Sequence, residues 1–360
     1  MPRVPSSRIS SSTLTRGQMP SAEAAPPSPG FLARLAHAAS LAYLSSSSPA
    51  KDSEFRESVS CESEHLVVNS SLAFEHSVSH SHLLSQARLC VDKDSRQIVV
   101  SFAVTHPDAL AQWMHSFDAL AALADNRDDE GDLDKGPAPF YSQLHSYLAP
   151  RASHPQLSDF ILLPPKRSPS QQDMDAVLVP FPAQALSSKV HPMFASEYAA
   201  LRPSLVTALT LYRTQYLSYN LVFVGHSLGA AIATLALVDL VQSSIVAYPN
   251  STHLVSFGMP RIGNAAFRES VLALQLGSIF RLVNYGDSVP HYGLQSWGFR
   301  HIERQLWINS SQNLVTCDDV NPINAGEDTN CMNQLVAAGP TFAHRKYLGF
   351  EMWPPSLSYD

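Results

Sequence analysis

The chain of 360 residues predicts an α/β fold in which helices cover a central sheet of mostly parallel strands. Short apolar runs of strand length alternate with segments of helical periodicity along its second half. The strand-like run 221–224 is followed at once by an alanine- and leucine-rich segment from residue 228 that predicts a helix. With 45% apolar and 15% charged residues, the chain can form a sizeable core, in one large domain or two small ones.

The first part of the chain predicts two helices and a β-hairpin after an irregular start. Residues 1–30 contain many serine, proline and arginine residues and predict a disordered segment. Apolar residues at helical spacing predict helices over 31–44 and over 109–124. Between them, 87–91 and 97–104 predict two strands joined by an Asp-Lys-Asp-Ser turn.

The second half predicts the parallel part of the sheet. A long helical pattern over 196–216 leads into the strand at 221–224. Further along, 252–257 and 279–283 predict strands, and 265–274 predicts the helix between them. This alternation implies right-handed crossovers between parallel strands.

A Gly-x-Ser-x-Gly motif occupies 225–229, between the predicted strand and helix. In that context it predicts a nucleophile elbow formed by Gly225, His226 and Gly229, a tight turn that exposes the hydroxyl of Ser227. Any Cβ on the two glycines would collide with the neighbouring strand and helix. The start of the helix also offers N–H groups and the positive end of its dipole to an oxyanion.

Two other interpretations of this stretch are considered against the nucleophile elbow. One is a buried strand–helix turn with an idle serine. The other is a transmembrane span, because 221–248 is mostly apolar. The second is disfavoured because polar residues interrupt the stretch before it reaches the length of a span, namely His226, Ser227, Asp239 and Gln242.

Asp287 and His344 complete a candidate catalytic triad with Ser227. Asp287 follows the end of a predicted strand, where catalytic loops of open α/β sheets gather. The order Ser227, Asp287, His344 is that of the α/β-hydrolase fold. We expect Ser227 to attack an ester, His344 to transfer the proton and Asp287 to hold the imidazole. Among the 15 histidines, His226 is expected to point away from the nucleophile.

These motifs together resemble the fungal class 3 lipase family, which includes triacylglycerol lipases and feruloyl esterases. The resemblance covers roughly 85–116 and 189–350. It rests on Gly-His-Ser-Leu-Gly-Ala-Ala (225–231), Ser-Phe-Gly-Met-Pro-Arg-Ile-Gly-Asn (256–264), Asp-Ser-Val-Pro (287–290), Gly-Phe-Arg-His (298–301), Glu-Arg-Gln-Leu-Trp (303–307), His-x-x-Tyr (344–347) and Val-His (190–191). It implies the same triad, Ser227, Asp287 and His344.

The resemblance also implies an oxyanion hole formed by the N–H of Leu228 and by Thr105. In the family, a Ser or Thr ends a Phe-Arg-Gly segment, whereas here Ala103 and Val104 replace the arginine and the glycine. Trp113 matches a family tryptophan, and Ser116 stands where an aspartate is usual.

The chain has four cysteines, and their pairing indicates whether the protein resides in an oxidising compartment. The resemblance implies a disulfide between Cys317 and Cys331. Cys61 and Cys90 are either a second pair or two buried free thiols. Three glycosylation sequons and the family resemblance predict secretion, whereas 1–30 shows no secretory signal, and an intracellular location is the alternative.

The connection before the elbow strand is longer than is usual in this family. Trp113 and His191 are 78 residues apart, and we assign an insertion to 118–189 within a hydrolase domain over 31–360. The insertion contains an amphipathic pattern over 140–148. The hypothesis is that it modifies the lid that such lipases open at a lipid surface, and a solvated loop is the alternative.

The sequence thus predicts a serine carboxylester hydrolase, foremost a triacylglycerol lipase, acting on a lipid or ester at a lipid–water interface. The alternatives are a feruloyl or short-chain esterase and a catalytically silent interaction protein on the same fold. No cofactor and no metal are expected; a solvated loop is the preferred interpretation of His76, His80 and His82. A net charge of −7 argues against nucleic acid as a partner, and no oligomeric state is indicated.

Overall fold

The computed structural model describes the parts of the chain that build the sheet and its cover. They are 27–43, 61–69 (backbone only), 85–104, 113, 116, 170–182, 186–302, 304–317, 327–334 and 342–352. Of the segment 1–30 that is predicted to be disordered, 1–26 lie outside these residues, whereas Pro29 and Gly30 begin a helix. Also outside them lie almost all of the predicted helix 109–124, the pattern over 140–148 and the three clustered histidines.

Fourteen strands lie within the described ranges. They are β1 (Cys61–Asn69), β2 (Ser85–Asp92), β3 (Gln97–Val104), β4 (Val179–Pro180), β5 (Lys189–Val190), β6 (Asn220–His226), β7 (Thr252–Phe257), β8 (Gly263–Asn264), β9 (Ser278–Asn284), β10 (Phe299–Arg300), β11 (Gln305–Ile308), β12 (Leu314–Thr316), β13 (Lys346–Tyr347) and β14 (Phe350–Glu351). The main sheet has the order β1-β2-β3-β6-β7-β9-β11-β12. Its central strands β3, β6, β7, β9 and β11 are parallel, and antiparallel strands flank them.

Six α-helices are described: α1 (Pro29–Leu41), α2 (Gln171–Val177), α3 (Pro192–Gln215), α4 (Leu228–Gln242), α5 (Ala265–Leu272) and α6 (Phe342–Arg345). Four of them begin with a side-chain cap. The Ser28 hydroxyl accepts the Phe31 N–H at α1, and Ser170 and Asp173 form a capping box at α2. Within the described residues, no helix combines the length and apolarity that a membrane crossing requires.

The predicted fold class is confirmed. The strands at 97–104 and 252–257 have the predicted bounds, and the predicted helix 265–274 ends two residues earlier. Strand β1 was not predicted, because its first residues, Cys-Glu-Ser-Glu-His, lack the apolar alternation of a half-buried strand. The strand pairs with β2 at one side of the sheet.

Each face of the sheet has its own core. On one face, α3 and α4 pack against residues such as Val100, Phe223 and Leu254. On the other face, α1 packs with the C-terminal hairpin β13–β14 against Val222 and Val255. The alternate residues of β6 therefore point to opposite cores, as the period of two requires.

The end of the segment assigned as an insertion is part of this fold. Helix α2 and strand β4 lie at its end, and β4 joins a small second sheet of the order β10-β8-β5-β4. Met174, Val177 and Phe181 are buried in the same core as α3 and α4. Any insertion that stands apart from the hydrolase core therefore ends before residue 170.

Two cysteine predictions can be compared with the structure. Cys317 and Cys331 form the expected disulfide, which ties the end of β12 to the segment 327–334. Cys90 is also disulfide-bonded, so a buried free thiol is the wrong alternative for that residue.

A buried carboxyl group in α3 makes the stability of the fold depend on pH. Glu197 accepts a hydrogen bond from the Ser85 hydroxyl on β2, and burial raises the pKa of its carboxyl to about 7. A raised pKa in the folded state means that this group stabilises the fold below the unfolded pKa and that this contribution is lost as pH rises through 7.

We therefore expect Glu197→Gln, which mimics the protonated acid, to raise the free energy of unfolding at pH 8 by about 3 kcal/mol. At pH 4 the variant and the wild type should be equally stable. Urea unfolding at both pH values tests this, and a difference that does not change with pH would contradict it.

Candidate active site

The turn after β6 places Ser227 in a strained conformation. Its backbone φ is 55° and ψ is −125°, a region that costs a non-glycine residue about 1–3 kcal/mol. The two glycines of the motif allow this turn. A Cβ on Gly225 would lie 2.6 Å from the N atom of Ala230, and a Cβ on Gly229 would overlap the carbonyl of Phe102 on β3. The strand–turn–helix context predicted for the motif is thus present.

Three polar side chains from distant parts of the sequence meet at this turn. His344 Nε2 lies 2.9 Å from Ser227 Oγ, and His344 Nδ1 lies 2.9 Å from Asp287 Oδ2 and 3.0 Å from Oδ1. Asp287 follows β9, and His344 lies in α6. Because the carboxylate can only accept, Nδ1 carries the proton, and Nε2 accepts from the Ser227 hydroxyl. None of the three side chains is more than 1% exposed.

Two further groups hold the Asp287 carboxylate. The Val289 N–H donates to Oδ1 at 2.9 Å, and the Tyr347 hydroxyl donates to Oδ2 at 2.5 Å. The Tyr347 oxygen in turn accepts the Asn284 N–H at 3.1 Å. Burial, and then the neighbouring Asp287 charge, raise the pKa of Tyr347 well above its usual value. The sequence motif His-x-x-Tyr (344–347) contains Tyr347, but the sequence alone did not assign this residue to the site.

The expected oxyanion hole lies partly outside the described residues. Leu228 is the first residue of α4, so its N–H has no acceptor within the helix and lies at the positive end of the dipole. Thr105 is not among the described residues, whereas Val104 before it is buried at the end of β3.

His226, which is expected to point away from Ser227, contacts His344. Its buried ring lies on the face of β6 that α1 covers, and its centroid is 4.5 Å from that of His344. Its Nε2 lies 2.9 Å from the His344 carbonyl oxygen. The hydroxyl oxygen of Tyr43, a residue just after α1, lies 3.0 Å from His226 Nδ1.

A buried ion pair fixes the loop that follows Asp287. The Arg261 guanidinium donates to both carboxylate oxygens of Glu327 at 2.8 and 2.6 Å, and to the carbonyl oxygens of His291 and Gly293. The His301 N–H donates to the same carboxylate at 3.0 Å. Although burial alone would raise it, the charge of Arg261 lowers the pKa of Glu327 well below its usual range. The sequence motifs did not indicate this pair.

Ser116 stands where an aspartate is usual in the family, so an uncharged side chain occupies this position. The Ser116 hydroxyl donates to the Trp113 carbonyl at 2.6 Å and lies 3.2 Å from His191 Nε2. Burial lowers the pKa of His191 to about 3, so the ring is neutral and its Nδ1 accepts the Met193 N–H. Because His191 is neutral, the Ser116 hydroxyl can serve as its hydrogen-bond partner. A positively charged histidine would need a carboxylate at this position.

The potential metal ligands of the described ranges are their histidine, cysteine and acidic side chains. One group of three, Cys317, Asp328 and Cys331, is close enough together. Because its two sulfur atoms are bonded to each other, they cannot act as thiolate ligands. This group therefore does not form a metal site.

Comparison with known proteins agrees with the motifs. The family model described as lipase (class 3) matches residues 166–297. The chain is 32% identical over 180 residues to a lipase from Rhizomucor miehei, covering 49% of this chain and 47% of that protein. It is 38% identical over 131 residues to secreted mono- and diacylglycerol lipase A from Penicillium cyclopium, covering 36% and 41%. The chain thus spans about half the length of these curated relatives.

The solved structures show the fold beyond the matched segment. The Rhizomucor miehei lipase–propeptide complex superposes with a TM-score of 0.58 at 19% identity, covering 89% of this chain and 80% of that one. Because the identity is low, this likeness shows the fold alone. The match to the class 3 lipase family thus covers residues 166–297, and the likeness in fold extends over most of the chain.

Proposed function

We propose that the protein is a serine carboxylester hydrolase and that Ser227, His344 and Asp287 are its catalytic triad. The observation that carries this is the hydrogen-bonded row from Ser227 Oγ through both nitrogens of His344 to Asp287. This pattern requires the His344 tautomer with its proton on Nδ1, and the Asp287 carboxylate stabilises that tautomer. Tyr347 and Val289 orient that carboxylate in turn.

The reaction follows from these positions. Ser227 Oγ attacks the ester carbonyl carbon while His344 Nε2 takes the hydroxyl proton. The ester C–O bond then breaks, and His344 gives that proton to the departing alcohol. Water attacks the acyl-enzyme in the same way, which releases the carboxylic acid and returns a proton to Ser227. The Leu228 N–H, together with Thr105, stabilises the oxyanion that each attack creates.

The substrate we propose is an acylglycerol presented at a lipid–water interface. Two relatives are named lipase and secreted mono- and diacylglycerol lipase, and the segment that matches the class 3 lipase model contains Ser227 and Asp287. A disulfide and a secreted relative support secretion. We further propose one hydrolase domain over 31–360, with an insertion at about 118–189 that modifies the lid opened at a lipid surface. A short-chain esterase is the second candidate, motivated by the altered Ala103-Val104 segment.

Labelling with a fluorophosphonate, followed by hydrolysis of p-nitrophenyl esters from butyrate to palmitate, tests the function. An activated serine reacts with the probe, and a lipase is expected to prefer the longer chains on emulsified substrate. A preference for butyrate would move the assignment to the short-chain esterase. A protein that neither reacts with the probe nor hydrolyses any ester would be a silent interaction protein.

Gly258 limits the space beside the triad and yields a sharper prediction. A Cβ on this residue would lie 2.8 Å from Asp287 Oδ2 and 2.9 Å from His344 Cε1. Gly258→Ala should therefore displace both side chains and lower kcat about 100-fold. Gly349→Ala is the matched control, because its φ is also positive but a Cβ there meets nothing within 4 Å. Equal losses of kcat in the two variants would mean that backbone strain, not triad displacement, is responsible.

A further inference from the structure

We propose that Tyr43 and His226 are positioning residues that hold the main chain of His344, so that α1 belongs to the active site; this rests on the proposed function. His226 is part of the Gly-x-Ser-x-Gly motif, yet the ester chemistry above gives it no role. It is fully buried and lies against the triad histidine. Tyr43 is 5% exposed and lies 183 residues away along the chain.

The row of hydrogen bonds from Tyr43 through His226 to His344 takes its direction from the His344 carbonyl oxygen. The His344 carbonyl oxygen only accepts, so the His226 nitrogen 2.9 Å from it, Nε2, carries a proton. In a neutral ring Nδ1 is then an acceptor, and the Tyr43 hydroxyl at 3.0 Å donates to it. The His226 carbonyl oxygen also lies 3.0 Å from the Tyr43 oxygen and accepts from the same proton, so the Tyr43 hydroxyl donates one bifurcated hydrogen bond to the ring and the main chain of His226. Both hydrogen bonds therefore point towards His344.

The neutral state of His226 suits its place beside the triad. Burial, and then the neighbouring His344, lower the pKa of His226 well below its usual value. The two ring centroids are 4.5 Å apart with planes inclined by 35°. In the proposed reaction His344 becomes positively charged, and a second cation at that distance would oppose the change. A neutral His226 fixes the position of His344 without this repulsion.

Helix α1 reaches the His344 segment at a second point. The His37 ring stacks on Phe350 with centroids 4.7 Å apart, and Phe350 lies in β14, which pairs with β13 directly after His344. The Ser101 hydroxyl on β3 donates to the Ala38 carbonyl at 2.8 Å and fixes α1 on the sheet. The helix thus contacts the hairpin that follows His344, and its end places Tyr43 against His226.

Tyr43→Phe removes the donor and keeps the ring. We expect kcat for p-nitrophenyl butyrate, and the rate of fluorophosphonate labelling, to fall about tenfold while KM stays within about twofold. Tyr198→Phe is the matched control. It removes another buried tyrosine hydroxyl, which donates to Asp239 between α3 and α4, away from the triad. It should cost similar thermal stability and leave kcat unchanged.

His226 allows a rescue experiment. His226→Gln keeps an N–H donor for the His344 carbonyl and should retain more of kcat than His226→Phe, which has none. If Tyr43→Phe and Tyr198→Phe both leave kcat within about twofold, or if the glutamine and phenylalanine variants are equally slow, the positioning role is refuted and the contacts serve packing alone.

One measurement is independent of turnover. Histidine ¹⁵N NMR, with the His226 signal assigned by its loss in His226→Gln, should show a neutral Nε2–H ring in the wild type and a changed signal in Tyr43→Phe. A wild type that does not hydrolyse any ester would refute the proposed function, while this spectrum would still decide the hydrogen-bond row. A His226 signal that is unchanged in Tyr43→Phe would refute the row itself.

Discussion

Ser227→Ala is expected to lower ester turnover by about a million-fold, because the triad acts as a unit and loses nearly all of its effect when the nucleophile is removed. The fold should be unaffected. Alanine replaces serine at the same positive φ of 55°, and the hydroxyl has one described partner, His344 Nε2. Initial rates on a soluble p-nitrophenyl ester, with near-stoichiometric loss of fluorophosphonate labelling, measure the change.

Ser243→Ala is a suitable control, because Ser243 follows the opposite end of the same helix, α4, and is exposed to solvent. It should match the wild type in both rate and labelling. If Ser227→Ala retained more than about a thousandth of the wild-type rate, a different nucleophile would have to be sought. A wild type as slow as the variant would instead support the silent interaction protein.

Glu327→Gln is expected to lower the free energy of unfolding by about 3–5 kcal/mol, since it leaves the Arg261 guanidinium buried without its counter-charge. The two side chains are at most 4% exposed, so solvent cannot replace the lost partner. Urea or thermal unfolding at pH 7 measures the loss. Because the Glu327 pKa is lowered in the folded state, the difference from the wild type should shrink as pH falls below about 4.

Glu269→Gln serves as the control for a surface pair. Glu269 pairs with Arg268 at 2.5 Å, but its side chain is 66% exposed, and removal of its charge should cost no more than about 1 kcal/mol. A double variant, Arg261→Met with Glu327→Leu, should recover much of the stability, because no unpaired charge remains buried. If Glu327→Gln were as mild as Glu269→Gln, the buried pair would not determine the stability of this loop.

The sequence predicted the elements that depend on local pattern. Strand β7 and the start of α5 match because period and turn residues decide them locally. Ser227, Asp287 and His344 could be chosen although they are up to 117 residues apart, since each stands at a motif. Their hydrogen-bonded geometry is a fact of the structure, whereas their catalytic role stays a prediction.

Contacts that arise only on folding could not be predicted in this way. Tyr43 reaches His226 because α1 returns across β6, and no spacing in the sequence encodes that crossing. Glu327 meets Arg261 through a segment that a disulfide ties to the sheet. Tyrosine, arginine and glutamate are also common on surfaces, so their burial here has no signature in composition.

The convergence of both halves of the chain on β6 has a consequence for when the site can become active. During synthesis the elbow is made early, whereas His344 follows Ser227 by 117 residues and Tyr347 comes later still. A growing chain therefore carries a serine with neither its base nor the hydroxyl that orients Asp287. An unfinished chain should therefore hydrolyse no ester, and activity should arise only when the hairpin β13–β14 docks beside α1.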